Sequence, residues 1–265
     1  VPEGHTIHRL AREHARLLAG RQVAASSPQG RFAAGAGQLT GRAVEDVEPY
    51  GKHLFYAFSG EVLLHVHLGL YGAFLGGSGP PPEPRGAVRL RMTTAEHWID
   101  LRGPTACELF TPAERDAVLA RLGPDPLRRD ADPEQAWRRL SASRRAIGEL
   151  LMDQSVLAGV GNVYRAEALH RAGISPFRAG RELPREVWDA LWLDLRGLLR
   201  AGVRAGHIVT TERGDRERRS GPARSEDRFY VYRRHALPCR RCGTAVSTQV
   251  MAGRNLFWCP QCQRD

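Results

Sequence analysis

Lysine is almost missing from this chain: Lys52 is the only one among 265 residues. With 39 Lys+Arg against 29 Asp+Glu and a net charge of +10, arginine carries nearly all of the basic character. Such a field attracts phosphate polyanions. Cysteine is limited to five residues, four of them in two C-x-x-C pairs, which does not fit a secreted disulfide framework. Cys107 is left over and reads as a small buried hydrophobe. No apolar run is long enough to span a bilayer, and no apolar signal segment opens the sequence. A reducing, cytoplasmic location without a membrane anchor is expected. No internal repeat is found.

What is present falls into three stretches. Thr6 to Gly20 places Ile7, Leu10, Leu17 and Leu18 on one helical stripe. Short β-prone runs follow: Ala43 to Pro49, His53 to Phe58, Val62 to Leu68, Tyr71 to Leu75, Val88 to Thr93 and His97 to Leu101. Their spacing predicts a β-sandwich or barrel, with Gly76 to Pro84 as a flexible loop. A short helix over Arg115 to Arg121 leads to the breaker Gly123-Pro124-Asp125-Pro126. Beyond it, Glu134 to Leu140, Ala146 to Asp153, Asn162 to Ala172 and Pro184 to Ala205 carry helical periodicity. Thr211 to Asp227 is charged, poor in large apolar residues, and reads as a mobile loop. The expected class is α+β, with a β-sandwich and helix over 1–124, a helical domain over 125–228 and a small metal-stapled unit over 229–265.

Cys239-x2-Cys242 and Cys259-x2-Cys262 have the spacing of a tetrahedral zinc site made of four thiolates. A redox role needs only one such pair. Thr244 to Trp258 can form a hairpin between the two knuckles, with Arg254 at its tip as a phosphate contact or a solvated turn residue. Leu157-Ala158-Gly159-Val160-Gly161-Asn162 precedes a helix, where Asn162 is expected to cap the helix and its N–H groups favour an anion. The element is a helix, two-turn, helix grip on a nucleic-acid backbone, or an ordinary helix connection. Lys52, at the start of a strand, is a proton donor, a phosphate contact or a solvated charge. His67-Leu68-Gly69-Leu70-Tyr71-Gly72 reads as a strand end or as an apolar wedge that fills the space left by an extruded base.

Pro2-Glu3-Gly4 suits the start of a helix. Beside a zinc pattern and a strong basic charge it takes on another meaning. A first-position proline is a secondary amine with a pKa of about 8, nucleophilic at neutral pH toward a sugar C1′ carbon. Val1 would acylate that nitrogen, so residue 1 is expected to be a non-standard start, read as Met and trimmed.

Together the Pro2-Glu3-Gly4 start, Gly51-Lys52-His53-Leu54, His67 to Gly72, Arg121 to Asp125, Leu151 to Tyr164 and Val231 to Cys262 resemble the formamidopyrimidine-DNA glycosylase and endonuclease VIII family, over nearly the whole chain. The resemblance implies a DNA glycosylase and AP lyase of base excision repair. By it, Pro2 forms a Schiff base and Glu3 moves protons. Lys52 serves as acid or phosphate anchor, and Arg254 assists elimination of the phosphates. Arg102, Arg121 and Asn162 contact DNA, and Leu70 and Tyr71 supply the wedge. One structural Zn2+ on the four cysteines, double-stranded DNA with damaged bases or abasic sites as partner, and a monomer are also implied. The formamidopyrimidine branch carries Asp-Pro-Arg-Arg-Phe-Gly, whereas this chain reads Asp100-Leu101-Arg102-Gly103-Pro104 and lacks the Phe. Leu70-Tyr71 is similar to the endonuclease VIII wedge, which favours oxidised pyrimidines. Oxidised purines, or silent DNA binding if Val1 blocks Pro2, are the alternatives.

Overall fold

A computed structural model describes residues 2–264; the expectation about Val1 falls outside them. The chain divides into two compact units, residues 1–121 and 122–265.

The first unit opens with α1 (Gly4–Leu18), whose buried stripe carries Ile7, Leu10, Ala11 and Leu18. Next come β1 (Ala24–Ser26), α2 (Ala33–Leu39), β2 (Val44–Tyr50), β3 (His53–Phe58), β4 (Val62–His67), β5 (Ala73–Ser78), β6 (Val88–Thr93), β7 (His97–Arg102), β8 (Ala106–Phe110) and α3 (Pro112–Leu119). The strands form two antiparallel four-stranded sheets, in the orders β1-β6-β7-β5 and β2-β3-β4-β8. Leu54, Tyr56, Phe58, Leu64 and Val66 of one sheet and Leu90, Met92, Ile99 and Leu101 of the other share a core with α1. Burying one such side chain contributes roughly 1.5–3 kcal/mol. Arg91 and Asp100 cross the first sheet as a buried bidentate pair, at 2.7 and 2.9 Å.

Three sequence expectations change here. β5 continues to Ser78, so the flexible loop begins later than Gly76. β1, β8 and α2 leave no signal in the sequence because they are short and weakly patterned. α3 begins three residues early, at Pro112, because Thr111 and Glu114 close a capping box ahead of it.

The second unit holds α4 (Pro133–Ser141), α5 (Ile147–Leu150), α6 (Asn162–Arg171), α7 (Arg185–Ala205) and the hairpin β9 (Ser247–Met251) and β10 (Arg254–Trp258). α5 is shorter than the expected Ala146 to Asp153, because Asp153 and Gln154 turn inward to fasten the loop. Asp153 Oδ1 accepts from Ser155 N and Oγ, while Gln154 Nε2 donates to Met152 O and Val160 O and its Oε1 accepts from Gly159 N. α7 lays Trp188, Leu191, Trp192, Leu195 and Leu199 on the core and stops at Gly206, φ 74°.

That core also contains Val246, Phe257, Cys239 and Cys259, so the cysteine-bearing hairpin and the helices are packed as one body. The link between them is Glu167. Fully buried on α6, it accepts from the backbone N–H groups of Tyr230, Val231 and Tyr232 at 2.7–2.8 Å and from Thr210 Oγ1. The segment over 211–227 is fastened at its ends, where Thr211 Oγ1 donates to Asp227 O and Arg216 donates to Thr211. Among the described residues no helix is long and apolar enough to cross a membrane.

Candidate active site and metal centre

In the first unit, Glu3 is the N-cap residue of α1, its carbonyl accepting from Thr6 N at 2.9 Å. Its side chain is fully buried, and Pro2 beside it is half-buried. Fully buried carboxylates are rare, so an acid or base of restricted solvation follows the proline directly in sequence. Lys52 occupies the two-residue turn Gly51-Lys52 that joins β2 to β3, Tyr50 pairing with His53. Gly51 takes φ +56°, as a tight hairpin turn requires.

Behind Lys52 the outer face of the second sheet carries a group of histidines whose grouping the sequence patterns did not show. His53 Nδ1 lies 2.9 Å from His65 Nε2, and His65 Nδ1 lies 3.0 Å from Glu108 Oε1. His67 stands against His53 at 5.0 Å between rings. Burial first, then the charges of His65, His67, Arg121 and Lys52, hold His53 down at about 3. Burial also lowers His65, against the pull of Glu108, and lowers His67. Alternation in the three strands is the only sequence signal that could have joined these residues.

After β4 the chain turns through Leu68-Gly69-Leu70-Tyr71-Gly72, with Gly72 N donating to Leu68 O. Leu70 is 39% and Tyr71 89% exposed, a protruding apolar pair in a protein that buries most of its aromatic rings. Gly69 sits at φ +67°, where a Cβ would strike Thr105 Oγ1. Arg102 ends β7 within 3.7 Å of the buried Asp100, so part of its charge is already engaged. Arg121 is exposed after α3 and lies near His53.

In the second unit, Asn162 does not cap α6, contrary to expectation. Gly161 is the N-cap residue, and Asn162 spends its side chain elsewhere: Nδ2 donates to Asn255 O at 2.9 Å and Oδ1 accepts from Arg165. Arg165, fully buried, also donates to Gly148 O and Met251 O. α6 and the β9–β10 hairpin are thereby fixed together where Asn162 and Arg254 emerge. Arg254 follows the turn Ala252-Gly253, both at positive φ, and is exposed.

The four sulfurs of Cys239, Cys242, Cys259 and Cys262 lie within 4.8 Å of one another, with Cys239–Cys262 at 3.9 Å and Cys242–Cys259 at 3.4 Å. A zinc tetrathiolate with bonds of 2.3 Å needs sulfurs about 3.8 Å apart, so the donor set fits zinc. Hydrogen bonds from Thr244 hold the Cys242 thiol at about 6, a readily formed thiolate, whereas burial raises Cys259 and Cys262. His170 Nε2 reaches Cys239 Sγ at 3.4 Å and tethers α6 to the first knuckle.

Comparison with known proteins agrees with this arrangement. Residues 1–107 match the formamidopyrimidine-DNA glycosylase N-terminal domain, 122–213 the formamidopyrimidine-DNA glycosylase H2TH domain, and 236–264 the zinc finger found in FPG and IleRS. Endonuclease 8 1 of Mycobacterium tuberculosis is 51% identical over 99% of this chain and 100% of its own length. The formamidopyrimidine-DNA glycosylase of Thermus thermophilus is 37% identical over 85% of this chain and 84% of its own length. The fold superimposes on Lactococcus lactis Fpg, solved in complex with abasic-site DNA, with TM-score 0.83 over 99% of this chain and 100% of that one at 22% identity. The chain belongs to the formamidopyrimidine-DNA glycosylase and endonuclease 8 family, the DNA glycosylases and AP lyases of base excision repair.

Proposed function

We propose that this protein removes oxidised pyrimidines from double-stranded DNA through a Schiff base on Pro2 and cuts the strand by β,δ-elimination. The observation that carries the reading is the fully buried Glu3 carboxylate immediately beside Pro2 at the start of α1. The nucleophile must be a free secondary amine, so residue 1 is absent from the active protein.

Pro2 nitrogen attacks C1′ of the flipped nucleotide, the glycosidic bond breaks and the base leaves with the amine's proton. The C1′–O4′ bond then opens as the nitrogen lone pair forms the C=N bond, and O4′ takes a proton from Glu3. The resulting iminium is a permanent cation that acidifies the C2′ proton. Glu3 moves protons at the sugar ring and C2′; loss of the C2′ proton expels the 3′ phosphate, and a second elimination expels the 5′ phosphate. Lys52 anchors a phosphate or donates a proton, and Arg254 holds the phosphate that departs. Arg121 and Asn162 contact the DNA backbone and Arg102 contacts the DNA, while Leu70 and Tyr71 enter the helix to replace the extruded base. Zinc on the four cysteines supplies structure, since four thiolates leave no open coordination position for chemistry. The enzyme acts as a monomer on chromosomal DNA in the cytoplasm. Relatives named for both endonuclease 8 and formamidopyrimidine-DNA glycosylase keep oxidised purines as the second reading.

Borohydride trapping on abasic-site duplex DNA, with the linked peptide located by mass spectrometry, tests the mechanism. The expected adduct is at Pro2, on a chain whose intact mass lacks residue 1. An adduct at Lys52, or none, overturns it in favour of a weak lyase or a silent DNA-binding protein. Paired duplexes carrying an oxidised pyrimidine or an oxidised purine then decide the substrate.

A further inference from the structure

The hydrogen-bonded string on the outer face of the sheet β2-β3-β4-β8 has no part in the roles assigned above. Its direction follows from its ends. Glu108 is an exposed carboxylate and accepts from His65 Nδ1–H. A neutral His65 then presents Nε2 as an acceptor, so His53 Nδ1–H is the donor and His53 Nε2 keeps its lone pair. His65 is 4% exposed and stacks on Phe55 and Phe110, so it cannot swing away from this alignment without breaking the packing.

His53 is thus an aimed, proton-accepting imidazole, and its surroundings are cationic. Lys52 precedes it in the turn, His67 faces it from β4, and Arg121 approaches from the end of α3. From β2, Tyr50 is its cross-strand partner and Glu48, beside Phe55, faces Arg115 of α3 at 3.9 Å. Glu108 brings a carboxylate into the string through His65. Lys52, His53 and His67 are each half-buried and Arg121 is exposed, so an anion in solution can reach them.

We propose that His53, oriented by His65 and Glu108, is a further phosphate-binding residue, taking one proton from solvent at Nε2 and donating it to a DNA phosphate oxygen held by Lys52, His67 and Arg121. This rests on the DNA reading above. In the free protein burial and the surrounding cations keep the ring neutral. A phosphodiester reverses the local field, while Glu108, through His65, offsets the charge that His53 then carries. Binding is therefore linked to proton uptake and tightens as pH falls, by up to about tenfold per pH unit.

The test is the affinity for a duplex carrying a tetrahydrofuran abasic analogue, measured between about pH 8 and pH 5.5 and over a range of salt. Wild type, His53→Gln and Glu108→Gln are compared. His53→Gln is expected to lose the extra tightening at low pH. Its salt slope should be smaller than wild type by about 1 at the acid end and equal to wild type at the alkaline end. Glu108→Gln keeps a hydrogen-bond acceptor for His65 but removes the charge, and is expected to weaken the pH response in part. A His53→Gln protein with the full wild-type pH response overturns the proposal, and a Glu108→Gln protein with the full response overturns the part given to the string. Wild-type binding that is indifferent to salt at every pH would instead overturn the DNA reading on which the proposal stands.

Discussion

His14, buried on α1, shares a 2.6 Å hydrogen bond with Tyr56 Oη and stands edge-on to Phe74 at 4.7 Å. Burial, and then Arg9, depress it from the ordinary 6.5 to about 3. The folded state therefore refuses a proton that the unfolded chain accepts. Stability from this residue is complete above pH 6.5 and is lost as the pH falls toward 3, at about 1.4 kcal/mol per unit. Urea unfolding should show a loss of about 2 kcal/mol from this one group between pH 7.5 and pH 5. His14→Phe should flatten the profile by that amount; an unchanged profile would remove His14 as its source. The same residue scale shows what sequence makes legible. Pro2, Glu3, Lys52 and the four cysteines stood out because rarity or exact spacing marked them. His53, His65 and Glu108 did not, since their separations of 12 and 43 residues become contacts only through strand register. Asn162 is marked by its place at the start of a helix, but its side chain does not cap that helix: its hydrogen bond runs to Asn255, 93 residues away, and no local pattern encodes it.

At the scale of elements, the turn between β4 and β5 separates shape from side-chain chemistry. A Cβ at Gly72 would lie 2.3 Å from Leu68 O, inside the hydrogen bond that closes the turn. Gly72→Ala should therefore cost roughly 1–3 kcal/mol and misplace the wedge. Tyr71→Ala should leave stability within about 0.5 kcal/mol, because the ring is 89% exposed, yet reduce excision from duplex DNA at least tenfold. Thermal unfolding and single-turnover excision on the two variants would separate the effects, and a Tyr71→Ala protein with full excision would refute the wedge. Elements with long periodic patterns were legible: α1, α6, α7 and the runs that became β2 to β4 lie within a few residues of expectation. β1, with three residues, was not, and α5, expected over Ala146 to Asp153, stops already at Leu150, because tertiary hydrogen bonds rather than local preference set their ends.

For the whole molecule, the decisive arrangement is that the cysteine hairpin belongs to the helical core. Cys239, Cys259, Val246 and Phe257 are buried with Leu169, Trp188 and Leu195, and Glu167 gathers three successive N–H groups from the entry to the hairpin. Zinc-finger peptides gain roughly 10–16 kcal/mol of apparent binding energy from the metal. Here the helices supply a core of their own, so zinc loss should destabilise residues 122–265 by several kcal/mol without unfolding them outright. Residues 1–121 have a separate core and no cysteine of the cluster, and should not register the loss. Hydrogen exchange before and after treatment with a zinc chelator distinguishes these cases. Faster exchange is expected in β9, β10 and the end of α6 around His170, where the ring meets Cys239 Sγ, with β3 and β4 unchanged. Equal acceleration in both units would mean that the metal stabilises the protein as one cooperative body, and no change in α6 would mean that the His170 and Glu167 links carry no energy from the zinc site into the helices that present Asn162.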